Sequence, residues 1–120
     1  MTGKLHLAYP PMHPWTEGTE ATFYATDHIA DRDRERCLIA LLTVTGPPLS
    51  MAIHIYWGLM EGIDMPEICH VIALASCYGG VPKLAPAFAV LQRLGPLLAD
   101  LAARGAEPTD VLDALAEDFR

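Results

Sequence analysis

The chain has 120 residues and a mass of 13.1 kDa, which fits one compact domain and leaves no room for a second independent core. Apolar types make up 52% of it and charged types 19%, against roughly 45–50% and about 25% in ordinary globular domains, so it is a folding chain with apolar surface to spare. Its formal charge of −7 is the wrong sign for tracking phosphates, which excludes a nucleic-acid surface as the expected role.

In chain order, residues 1–14 form a Pro-rich arm, and a short helix is expected near 17–27, where Phe23 and Tyr24 offer packing groups. Asp31 is read as an N-cap with Asp33 and Glu35 in the first turn, and the apolar run from Cys37 to Val44 carries the helix to about Thr45. From Cys37 to Met60 no residue is charged apart from a possible His54, a length that suggests a membrane span of ~20 residues. Gly46-Pro47-Pro48 divides it into two pieces too short to span, so two buried helices joined by a rigid turn are expected instead, the second over about 49–61. A strand over 52–57 is the alternative there, set aside because the uncharged segment is too long for one strand.

Asp64-Met65-Pro66-Glu67 reads as an N-cap, an early proline and a capping-box carboxylate opening a helix over 65–78. Gly79-Gly80 stops it, and Pro82 starts another running to about Leu94. Gly95-Pro96 is expected to kink or break that helix before Leu97–Arg104. Thr109 is expected to cap a last helix with Val111, Leu112, Leu115, Ala116 and Phe119 along one stripe. The fold class is therefore an all-α, single-domain bundle of about six helices spanning residues 1–120.

Two residues carry candidate chemistry. Glu35 shares a face with Leu38, Ile39 and Leu42, so its carboxylate points along an apolar stripe and needs a partner if it is buried; otherwise it is a first-turn residue reaching back to water. His54 sits among Met51, Ile53, Ile55, Tyr56 and Trp57 as either a satisfied core histidine or an acid–base group. Together they suggest more, since a buried carboxylate on one helix is a natural orienter for an imidazole on the next. Glu67 and His70 form an E-x-x-H, the spacing used in di-iron bundles, but those sites need a second copy of the motif that this chain lacks, and no metal is expected. The aromatics Tyr56, Trp57 and Tyr78 are core groups or flat surfaces on which a substrate stacks.

Glu35, His54 nineteen residues later, Gly62, then Pro66-Glu67-Ile68 and the turn Tyr78-Gly79-Gly80-Val81-Pro82 resemble the carboxymuconolactone decarboxylase and alkylhydroperoxidase D family over about residues 31–90. The resemblance implies an all-helical oligomer in which His54 and Glu35 are catalytic candidates facing a cavity. Peroxidase members carry a C-x-x-C whose positions here are Pro47 and Ser50, so the dithiol cycle is not expected. Cys69 and Cys77, ~12 Å apart along one helix, cannot join; buried small hydrophobes are their expected role. Decarboxylase members bind substrates with several carboxylates. None of the six arginines or two lysines lies on the helix of His54, which argues against that substrate.

The expected function is thus a cofactor-free acid–base enzyme acting on a small organic acid, lactone or enolisable carbonyl compound. His54 and Glu35 form its catalytic pair, and Ser50, Trp57 and Tyr78 contact substrate. The contrasting expectation is a non-catalytic oligomer that binds an apolar ligand or partner. A homo-oligomer, trimer or hexamer, is expected from the apolar surplus. The odd cysteine count and the lack of a secretory-type apolar run near the N-terminus suggest the cytosol, with no membrane or nucleic-acid partner.

Overall fold

A computed structural model describes residues 28–120; the Pro-rich arm at 1–14 and the helix expected near 17–27, with Phe23 and Tyr24, lie outside the described residues. Within them the fold is all-α. Five α-helices follow in order, α1 Asp31–Thr45, α2 Pro48–Met60, α3 Met65–Gly79, α4 Leu84–Ala103 and α5 Pro108–Asp118, with a single 3₁₀ turn, Val81–Lys83, before α4.

The uncharged α2 lies at the centre. Five consecutive residues from Met51 to Ile55 are buried, so this helix is covered on every side, as a helix without a polar face must be. It packs against α1 on one side and against α4 and α5 on the other. At the α2 end, Arg32 of α1 donates from Nε to the carbonyl of Glu61 at 2.7 Å, which sets α1 and α2 antiparallel. Arg36 of α1 is bonded to Glu67 near the start of α3 at 3.2 Å, and Val44 near the end of α1 lies against Gly79 at the end of α3. Those two helices therefore run parallel. Ile39, Trp57, Ile68, Ile72, Leu94, Leu115 and Phe119 join in one core, and the expected stripe of α5 is confirmed by the burial of Val111, Leu115 and Phe119.

Four local expectations are corrected. The N-cap of α1 is Ala30, without a side-chain cap; Asp31 is already inside the first turn, where its carboxylate accepts from Arg34 Nη1 at 3.0 Å. Asp64 does cap α3, accepting from the Glu67 amide at 2.9 Å, but the Glu67 carboxylate turns to Arg36 rather than closing a capping box. Glu107, not Thr109, caps α5, because Pro108 has no N–H to satisfy and takes the first helical position, leaving Glu107 and Asp110 to form a reciprocal box.

The expected break at Gly95-Pro96 is absent: α4 runs unbroken through Pro96. Proline forfeits the bond to the Gln92 carbonyl, but Gln92 and Pro96 are both exposed, so water can satisfy that group. The usual clash of a proline ring with the preceding Cβ does not arise after a glycine. Leu94 and Leu101, buried on either side of the irregularity, pin the helix to the core. With the turn before it, Val81–Ala103 is 23 residues containing an 18-residue window of mean hydropathy 1.2, long and apolar enough to cross a membrane by length and composition; Ala87, Val90, Leu91, Leu94 and Leu101 are the face it buries in the core.

Candidate functional site

Glu35 enters the core from the first half of α1 because its helical neighbours Leu38, Ile39 and Leu42 face the same way. It is fully buried, and His54, 5% exposed, comes to meet it from the middle of α2. The Nδ1 of His54 lies 2.9 Å from Glu35 Oε2. A carboxylate can only accept, so with Glu35 ionised the imidazole donates through Nδ1–H, and in a neutral ring Nε2 is then the lone-pair nitrogen. The His54 ring meets the Trp57 ring edge to face, with centroids 4.9 Å apart at 89°; this contact fixes the plane in which Nε2 points.

The approach of the two helices depends on Gly58, one turn beyond His54 on the same face. A Cβ there would lie 3.4 Å from Ile39 Cδ1, 3.5 Å from Ile63 Cδ1 and 3.9 Å from Glu35 Cβ. These are ordinary contact distances, so the position has room for a methyl and little more, and a small residue here keeps the backbone of α2 close to α1 where the carboxylate reaches the imidazole.

The second oxygen of the carboxylate, Oε1, accepts no hydrogen bond among the described residues. It faces Arg34 Nη2 at 3.7 Å, and Arg34 is itself only 10% exposed. Sequence reasoning missed this arginine. It looked for a cation on the helix that carries His54, whereas the cation stands on the neighbouring helix, next to Glu35 in the chain. Helical spacing gave no reason to turn it inward, since adjacent residues lie about 100° apart around a helix; only its pairing with Asp31, one turn back, was a sequence signal.

Of the other residues singled out, Trp57 is buried beside His54, and Ser50 is half-buried one turn before it. Tyr78 is not brought to the pair within one chain, because its ring is 89% exposed at the end of α3. The cysteines are corrected too: Cys37 and Cys77 are exposed and Cys69 half-buried. Cys77 lies on an outer stripe of α3 with Leu74 and Tyr78 rather than on the stripe of Ile68 and Ile72. Glu67 and His70 make no metal site; among the described residues no three His, Cys, Asp or Glu side chains converge as metal ligands.

A separate cavity of about 290 Å³ opens on the other side of α2, between Tyr56, Leu59, Leu98, Leu101 and Val111. Tyr56 is two residues from His54, and so roughly opposite it on the helix. The lining is apolar apart from that phenol, whose burial pushes its ionisation above the usual 10.0.

The sequence profile of the Carboxymuconolactone decarboxylase family matches residues 11–93, a span that includes Glu35, Ser50, His54, Trp57 and Tyr78. No curated protein and no solved structure gives a match.

Proposed function

Since this chain belongs to the carboxymuconolactone decarboxylase family, we propose that it is an acid–base enzyme for a small organic acid, lactone or enolisable carbonyl compound, working without a cofactor. The observation that carries this reading is the buried 2.9 Å contact between Glu35 and His54. Nε2 of His54 takes a proton from the carbon next to a carbonyl, the C–H electrons becoming an enolate, and returns it at the same or another carbon. For a decarboxylation, the electrons of the breaking C–C bond form the enolate as carbon dioxide leaves, and His54, having taken up one proton from solvent at Nε2, delivers it to the enolate carbon and returns to the neutral imidazole. Glu35 is a positioning residue that holds the tautomer and balances the imidazolium as it forms. Ser50 and Trp57 flank the position a substrate would take, and a dithiol peroxidase cycle has no cysteines to run on at Pro47 and Ser50.

Incorporation of solvent deuterium next to a carbonyl, followed by NMR over a panel of small acids, lactones and ketones, tests the class. Exchange catalysed by the wild type and lost in His54→Gln is the expected result. Equal exchange by the two proteins would overturn it. The apolar cavity below Tyr56 favours a second reading, a non-catalytic binder of an apolar ligand; binding of a small hydrocarbon probe there, with no exchange activity anywhere in the panel, would select it.

The working form we propose is a cytosolic homo-oligomer, trimer or hexamer, with no membrane or nucleic-acid partner. Leu41, Leu74, Tyr78 and Val81 are all more than half exposed, apolar area that a single copy leaves in water. A second copy covering the end of α3 would also give the exposed Tyr78 a site to join. Sedimentation equilibrium at micromolar concentration showing only the single chain would refute the assembly.

A further inference from the structure

Arg34 occupies a position that the proposed chemistry leaves unused. Its guanidinium is 10% exposed, with Nη1 on Asp31 at 3.0 Å and Nη2 facing Glu35 Oε1 at 3.7 Å. The Glu35 carboxylate thus has a different neighbour at each oxygen, a permanent cation at Oε1 and an imidazole at Oε2. A fully buried carboxylate stays ionised only beside a compensating charge, and in a two-residue pair the imidazole alone would supply that charge by taking a second proton.

We propose that Arg34 is the positioning residue that keeps His54 neutral: by serving as the counter-ion of Glu35, it spares the imidazole that task and leaves Nε2 in the lone-pair form that can accept a proton. The inference rests on the reading of His54 as the acid–base group.

Among the described residues, the charged groups nearest the pair have other partners. Within α1, Asp31 is bonded to Arg34 and is a third exposed, Arg32 reaches the Glu61 carbonyl, and Arg36 is shared between Asp33 and Glu67. Helix α2 carries no Asp, Glu, Lys or Arg, and Glu61 follows at its C-cap. From α3, Glu67 is held by Arg36, His70, Cys77 and Tyr78 are exposed, and Cys69 is half-buried. Arg93 pairs with Asp118 and Arg104 with Asp100 on the outer surfaces of α4 and α5. Among these cations Arg34 is the one in ion-pair range of Glu35.

The test is the ¹⁵N spectrum of His54 at pH 7 in the full-length protein, which separates the Nδ1–H tautomer, the Nε2–H tautomer and the imidazolium without any substrate. The wild type is expected to show neutral imidazole protonated at Nδ1. In Arg34→Gln, which keeps an amide donor but loses the charge, the ratio of imidazolium to neutral imidazole should rise about tenfold or more. Arg34→Lys, which restores a cation, should return the spectrum toward the wild type. An imidazolium in the wild type overturns the proposal even if no variant folds, and an unchanged ratio in a folded Arg34→Gln overturns it as well. If His54→Gln proves as active as the wild type, the acid–base reading fails while the spectral result stands. If the spectra do not respond but His54→Gln is inactive, Arg34 loses its role and the acid–base reading survives.

Discussion

Replacing His54 and Glu35 singly and together measures whether they act as one unit. The bond between them joins an imidazole N–H to a buried carboxylate at 2.9 Å, and hydrogen bonds to charged groups contribute roughly 1.5–3 kcal/mol to stability. His54→Gln keeps an amide donor in a position that is 5% exposed, so the loss should stay within about 0.5–3 kcal/mol. Glu35→Gln removes the buried charge and its solvation cost along with the bond, so its net effect should be smaller. The double substitution should then be more stable than the sum of the two losses predicts, by a coupling of about 1–2 kcal/mol. Urea unfolding followed by circular dichroism gives all four stabilities; Trp57 fluorescence is unsuitable, because His54 touches that ring. The kinetic cycle runs in parallel: His54→Gln should reduce turnover by ~10²–10⁴-fold, Glu35→Gln by less, and the double substitution no further than His54→Gln. Stability losses that add without coupling, or turnover losses that multiply, would refute a dyad even with both side chains in the core.

Gly79→Ala should destabilise the protein by about 1–3 kcal/mol, because an added Cβ would fall well inside contact distance of Val44 Cγ2; urea midpoints check this, and Val44→Ala in the same chain should recover much of the loss. Burial raises the ionisation of Tyr56 above 10.0, so the unfolded chain ionises there first and its contribution to stability, complete below about pH 10, declines as pH climbs through the higher folded value. Unfolding curves at pH 9–11 should therefore fall less steeply in Tyr56→Phe than in the wild type, and identical slopes would contradict the assignment. In the single chain Cys37 and Cys77 should react rapidly with a thiol reagent and Cys69 more slowly, and assembly should slow Cys77, which shares the stripe of Leu74 and Tyr78; replacing all three by Ser should leave deuterium-exchange activity within a few-fold of the wild type.

The legible parts of the fold were those written in short-range chemistry. The turn at Gly46-Pro47-Pro48, the cap at Asp64 and the stripe of α5 each depend on residues within one or two turns of each other, and each was placed within a residue or two. The pairing of Glu35 with His54 was legible for a related reason: one carboxylate on an apolar face and one histidine in an uncharged helix had few other ways to be satisfied. What escaped was decided by the other side of a contact. Pro96 is tolerated because its outer face meets water. Cys77 and Tyr78 lie outside because the apolar face of α3 that enters the core is the one of Ile68 and Ile72, and the sequence alone did not show how far around the helix that face extends. Arg34 turns toward Glu35 on a helix whose periodicity carried no such instruction.

The distance between the two groups at the candidate site is held by a residue with no functional group. Gly58 has just enough free space for one methyl, since a Cβ would touch Ile39 and Ile63 at ordinary van der Waals range, whereas anything longer must push α1 away from α2. A separation of one to two ångströms would turn the direct bond between Glu35 and His54 into a gap wide enough for water, with both side chains unaltered. The proposed acid–base function would therefore be switched off, or retuned toward a water-bridged relay, by substitutions that a survey of the reacting residues would not detect, and the glycine one turn past the histidine is the position at which such drift would begin.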